Sequence, residues 1–220
     1  MNNAVMARVF AIATERGLTV MSHAEDREIS PWDYRLAENI ETVRNCHLAE
    51  YYGTRLHMCH VSTKEAADTI RMSRMRGARV SCEVTPHHLW FDESRLQYRV
   101  NPPIRKAEDV DALIEAIKDG TVTCIGTDHA PHTPQEKADF LRAPNGVVGM
   151  ETSLAAGITY LVEPGHLPLP RLLALMSTLP AELLHIPAGT LRVGTAADVV
   201  LFEELDGKPL RHAHLSHVFS

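Results

Sequence analysis

The sequence has no run of the roughly 18 uninterrupted apolar residues that a bilayer-spanning helix needs. Its start, Met1 to Arg16, also lacks the basic, apolar and cleavable order of a signal peptide. No membrane partner is indicated, and the cytoplasm is the expected location. Cys-x-x-Cys pairs are missing too: Cys46, Cys59, Cys82 and Cys124 stand far apart, which argues against a zinc knuckle and against a secreted disulfide framework. All four read as reduced thiols in a core. Lys and Arg are not gathered into a stripe and the net charge is −6, so no nucleic-acid partner is expected. There is no low-complexity tract and no repeat longer than a strand–helix unit.

What is present is a chain of 220 residues, 45% hydrophobic and 23% charged, enough apolar mass for a sizeable core. Val5, Met6, Val9, Phe10 and Ala13 recur at helical spacing before Gly17, and Leu18–Ser22 then reads as a short strand. A helix over Tyr34–Tyr52 closes at Gly53 and leads to a strand, Arg55–His60. Ser62, Thr63 and Glu65 open a helix over Lys64–Arg76, followed by a strand at Arg79–Val84. Asp109–Lys118 is helical and Thr121–Thr127 is a fourth strand. This rhythm predicts βα units around a parallel sheet, and the short apolar strands predict a sheet covered on both faces. Further helices are expected near Glu151–Leu161 and Arg171–Leu184, then a hairpin-like β segment at Ala197–Phe202.

Loops from several βα units converge at the C-terminal edge of such a sheet, so chemistry gathers there. Each strand here ends in polar residues: His-Ala-Glu-Asp from His23, His-Val-Ser-Thr from His60, Glu-Val-Thr-Pro-His-His from Glu83, and Thr-Asp-His-Ala-Pro-His from Thr127. A single strand-end histidine is usually structural. Several together, with a carboxylate, suit a hydrolytic metal, for which imidazole and carboxylate are the usual ligands. His23, His60 and Asp128 are the candidate ligands, and Asp128 could also move a proton between water and a leaving nitrogen. Asn101 sits before paired prolines that stiffen its loop, and His132 could donate to an anionic group. His87 and His88, read as neighbours on a strand edge, would point opposite ways. The tail histidines His212, His214 and His217 read as solvent-facing.

His-Ala-Glu-Asp, Cys-His-Val-Ser-Thr, Glu-Val-Thr-Pro-His-His-Leu, Asn-Pro-Pro-Ile-Arg and Thr-Asp-His-Ala-Pro-His, in this order, resemble the dihydroorotase family of the class I bacterial type, within the amidohydrolase superfamily. Ala-Pro-Asn-Gly from Ala143 and Gly-Met-Glu-Thr from Gly149 fit as well. The resemblance implies an α/β fold: part of a TIM-type (β/α)8 metal-dependent hydrolase barrel over residues 1–186, plus part of a small composite β domain over 187–220. It implies reversible ring closure of N-carbamoyl-L-aspartate to L-dihydroorotate, in pyrimidine biosynthesis, with one or two Zn2+ ions. His23, His60 and Asp128 would be metal ligands and Asp128 the catalytic proton carrier. Asn101, His132, Asn145 and Gly146 would touch the substrate, and a homo-oligomer or assembly with aspartate transcarbamoylase would be in keeping.

The family's His-x-His-x-Arg segment does not occur in the sequence, nor does the bridging Lys or Asp that precedes the His23 region. A whole barrel takes about 250 residues, whereas four barrel strands are legible here. The expectation is therefore a C-terminal portion of a dihydroorotase, with Met1 internal to a longer frame and with little activity or zinc retention of its own. Two alternatives stand beside it. One is a non-catalytic dihydroorotase-like subunit serving assembly. The other is a sister cyclic amidohydrolase, an allantoinase or dihydropyrimidinase.

Overall fold

The alternating runs resolve into one parallel sheet in a computed structural model that describes residues 2–94 and 98–202. Strands β1 (Thr19–Ser22), β2 (Arg55–Met58), β3 (Val80–Val84) and β4 (Cys124–Ile125) lie side by side in chain order. Their registers pair Met21 with His57, His57 with Ser81, and Glu83 with Cys124. Parallel neighbours need a crossover, usually helical. These are α2 (Tyr34–Tyr52), α3 (Lys64–Met75), and the pair α4 (Pro86–Trp90) and α5 (Ala107–Lys118), while α1 (Asn3–Glu15) precedes β1.

Local chemistry sets the helix ends. The side chains of Asn2, Asp33 and Thr63 accept from the amides of Val5, Leu36 and Ala66, satisfying donors that the first helical turn leaves free. Gly53 ends α2 at φ 68°, a left-handed conformation that costs an L side chain energy. Ion pairs tie the helix starts together. Arg35 donates to both Asp109 oxygens at 2.8 and 2.7 Å and to Glu65 at 2.7 Å. Arg105 donates to Glu38 at 2.9 Å, and Glu38 also accepts from the Ser62 amide at 2.8 Å.

The two faces of the sheet differ. On the helix side, Leu56 and Met58 of β2 and Val80, Cys82 and Val84 of β3 are at most 5% exposed, packed with Phe10, Ile70, Leu113 and Ile117. Each such side chain contributes about 1.5–3 kcal/mol by leaving water. The alternate positions point the other way and are polar or open: His57, Ser81, Glu83 and the exposed Met21. The strands are thus not the wholly apolar runs expected of a sheet covered by hydrophobic layers on both sides. They alternate, and one face carries chemistry.

Strand β4 is two residues rather than the expected seven, although the Thr123 amide still donates to the Cys82 carbonyl and the Gly126 amide to that of Val84. A short capped turn, α6 (Pro134–Lys137), follows. The helix expected near Glu151–Leu161 appears as α7 (Ser153–Gly157) running into a π-helical stretch, Ile158–Val162. The next is α8 (Leu169–Leu173), a π-helical stretch Ala174–Thr178, and α9 (Leu179–Leu184). Leu161, Leu172 and Leu175 from these helices complete the core. A Cβ on Gly157 would lie 2.8 Å from Leu172 Cδ1, so a larger residue there would push Leu172 from its place in the core. The β segment expected at Ala197–Phe202 forms no ladder among the described residues. His212, His214 and His217 lie outside them.

Candidate metal centre

His23 follows β1 directly, His60 lies just past β2 and Asp128 just past β4. His60 and Asp128 share an uncommon backbone, with φ 35° and 45°. Non-glycine residues in this region carry strain of order 1–3 kcal/mol and concentrate at functional sites. Both left-handed turns lie at the rim, just beyond the last residues of β2 and β4.

His23 Nδ1 lies 2.9 Å from His60 Nε2. Two imidazole nitrogens held by one tetrahedral zinc at bonds of roughly 2.0–2.1 Å would stand roughly 3.3 Å apart, so the pair converges as ligands do. His23 Nε2 is 3.0 Å from Glu25 Oε2, and the same oxygen accepts from Asn101 Nδ2 at 3.0 Å. A ligating histidine ordinarily gives its other N–H to a carboxylate in this manner, which fixes the tautomer and turns the free lone pair to the metal. His60 Nδ1 is buried without a hydrogen-bond partner. Burial, reinforced by the adjacent His23 imidazole, pushes the His60 imidazole below its usual range, with Asp128 and Glu83 pulling in the opposite direction. His60 is therefore neutral at pH 7 and keeps a lone pair. The donor set fits a divalent cation.

Asp128 is near enough to act on His60 through its charge, yet His23, His60 and Asp128 do not gather as a tight trio. Among the described residues the one group of three whose ligating atoms all lie within 4.8 Å of one another is His57, Cys59 and Glu83. It sits beneath the rim. Ser81 Oγ donates to the Leu56 carbonyl at 3.3 Å and so accepts from His57 Nδ1 at 2.9 Å, while His57 Nε2 faces Glu83 at 3.2 Å. Burial pushes the Cys59 thiol up to about 12, so it is no thiolate at neutral pH. A Cβ on Gly126 would lie 2.5 Å from Glu83 Cδ, so a larger residue there would displace this carboxylate.

The residues assigned to substrate fall into two groups. Asn101 joins the histidine pair through Glu25. His132 Nε2 lies 3.1 Å from the Asn145 carbonyl, and a Cβ on Gly146 would be 3.1 Å from His132 Cδ2, so His132, Asn145 and Gly146 are together. The Gly146 amide donates to the Arg99 carbonyl at 3.1 Å, which links the groups. His87 and His88 stand on the one-turn helix α4, not on a strand edge. Both are buried and their rings are 4.5 Å apart. His88 bonds Thr85 Oγ1 at 2.7 Å and the Pro102 carbonyl at 3.0 Å, a structural role supporting the Asn101 loop. Burial takes His87 down to about 4. Of the cysteines, Cys46, Cys82 and Cys124 are buried as expected and Cys59 is half-buried. Sequence reasoning missed Glu25, Glu83 and His57. Glu25 and Glu83 carried a signal, their places in the polar strand endings, whereas His57 carried none.

The profile of the amidohydrolase family matches residues 2–219, and the chain belongs to that family. Its relatives include proteins named dihydroorotase. One, from Clostridium botulinum (strain Eklund 17B / Type B), is 46% identical over 202 residues, 92% of this chain and 50% of its own. Another, from Shouchella clausii (strain KSM-K16), is 44% identical over 174 residues, 76% and 41% of the two. Among solved structures, the D-hydantoinase (dihydropyrimidinase) from Thermus sp. matches with a TM-score of 0.84 at 26% identity, over 91% of this chain and 51% of its own. The L-hydantoinase (dihydropyrimidinase) from Arthrobacter aurescens gives 0.82 at 28%, with 91% and 51% covered. The chain spans about half the length of the relatives it matches, and its four parallel βα units are part of a TIM-type barrel. No helix among the described residues is long and apolar enough to cross a membrane.

Proposed function

We propose that this chain carries one side of the active site of a zinc-dependent dihydroorotase, which opens L-dihydroorotate to N-carbamoyl-L-aspartate and closes it again in the cytoplasm during pyrimidine biosynthesis. The observation that carries the reading is the His23–His60 approach at 2.9 Å, with Glu25 behind His23, in a chain whose relatives bear that name. His23, His60 and Asp128 would hold the ion. When bound, zinc polarises the ring amide carbonyl and acidifies water.

The chain's own groups do the rest. Asp128 takes a proton as the water oxygen bonds to the carbonyl carbon, and returns it to the ring nitrogen as the carbon–nitrogen bond breaks. Glu25 keeps His23 in the tautomer that leaves Nδ1 free. His132, Asn145 and Gly146 face the substrate, whose carboxylate calls for donors, and Asn101 adds its amide. The same reading divides the chain near residue 186, with 187–220 belonging to a small β domain. It also admits a second copy or aspartate transcarbamoylase as a partner.

Zinc titration of the purified chain tests the reading. His23→Ala and His60→Ala should abolish measurable binding, and Glu25→Gln should weaken it by about 10–100-fold. Unchanged affinity in both histidine variants would sink the metal assignment. Several solved structures similar to this chain bear the name hydantoinase, which supports a second reading as a cyclic amide hydrolase of another specificity. If the zinc-loaded chain binds hydantoin in preference to L-dihydroorotate, that second reading takes over.

A further inference from the structure

Lys137 has spent its ammonium on the backbone. Nζ donates to the Arg99 carbonyl at 2.8 Å, the Pro144 carbonyl at 2.8 Å and the Gly146 carbonyl at 2.9 Å. An ammonium has three hydrogens and no acceptor capacity, so three carbonyls converging on one nitrogen use it completely. The same nitrogen sits 4.2 Å from the centre of the Tyr98 ring, a cation–π contact that shields this half-buried charge from water. A solvated surface lysine has no reason to adopt this arrangement, since fixing its long side chain costs rotamer entropy.

The three carbonyls belong to the two loops that carry Asn101 and Asn145–Gly146. Around the lysine the backbone is stitched in the same sense. The Gly146 amide donates to Arg99, which therefore accepts twice, and the Ala130 amide donates to Val147 at 3.0 Å. Lys137 itself is held because α6 opens with a reciprocal cap, Thr133 and Glu136 each bonding the other's backbone amide, only one residue after His132.

We propose that Lys137 is a positioning residue: its ammonium joins the 98–101 segment to the 144–147 loop and so fixes Asn101, Asn145 and Gly146 relative to His132. What those loops would hold rests on the dihydroorotase reading; the joint itself does not. Arginine cannot substitute, because its planar fork spreads its donors apart where a lysine presents them from a single point.

Hydrogen exchange on the full chain tests this, comparing Lys137→Met and Lys137→Arg with the unchanged protein. Both variants should speed exchange at the Gly146 and Ala130 amides by about tenfold, while the amides of Leu113 and Ile117 in α5 keep their rates. Dihydroorotate affinity of the zinc-loaded chain should fall by a similar factor in both. If Gly146 exchanges at its original rate in Lys137→Met, the proposal is overturned whatever happens to binding. It is also overturned if the loops loosen and dihydroorotate binds as before, since the joint would then not position the site. If the unchanged protein shows no affinity for dihydroorotate, the claim that these loops hold that substrate fails instead, and the exchange rates still decide whether the joint exists.

Discussion

Two methionines on adjacent strands separate what the sheet does on its two sides. Met58 of β2 is fully buried against the helices, whereas Met21 of β1, which pairs in register with His57 on the other face, is 55% exposed. Same residue type, same sheet, opposite surroundings: one face closes a hydrophobic core within this chain, and the other presents imidazole, hydroxyl and carboxylate groups. Stability and chemistry are therefore carried by alternate residues of the same strands, and a substitution should report on one or the other according to the parity of its position.

Met58→Ala provides the hardest test of that division. It should cost about 2–5 kcal/mol in chemical denaturation, the range for a large side chain removed from a packed core; a loss below about 1 kcal/mol would mean that the helix face is not the core. Asp109→Asn should come next, at about 2 kcal/mol at neutral pH. That is under the usual range for a broken buried pair because Arg35 retains Glu65. Burial pushes the Asp109 carboxyl up, but Arg35 and the Lys64 amide more than reverse this and hold it below its ordinary value. A depressed folded-state value stabilises above the unfolded value of about 3.9 and ceases to do so as pH falls through the lower one. The gap between protein and variant should thus close below about pH 4, and a gap that persists in acid would remove the ionic explanation. Smallest of all, Met21→Ala should change stability by no more than about 0.5 kcal/mol, and a core-sized loss there would erase the difference between the faces.

How much of this could be read in advance follows from what kind of contact each feature uses. Helix α2 lies where Asp33 and Gly53 punctuate the sequence, because caps and left-handed stops are local. The strand order and the rim position of His23, His60 and Asp128 follow from the βα rhythm. Strand β2 ends at Met58 rather than at His60, and side-chain type does not announce the positive φ that His60 adopts. His87 and His88 were misplaced for a similar reason: Pro86 opens a single helical turn where continuation of the strand was expected. The Glu83–His57 pair joins residues 26 apart, and the bonds of Lys137 run to carbonyls, which every residue has. Neither leaves a trace in one dimension.

The left-handed backbone at His60 and Asp128 has a consequence for the economy of the molecule. Glycine at either place would relieve the local conformation, yet it would erase an imidazole or a carboxylate from the rim. Local backbone ease is given up at the two residues that the proposed metal site would draw from this rim.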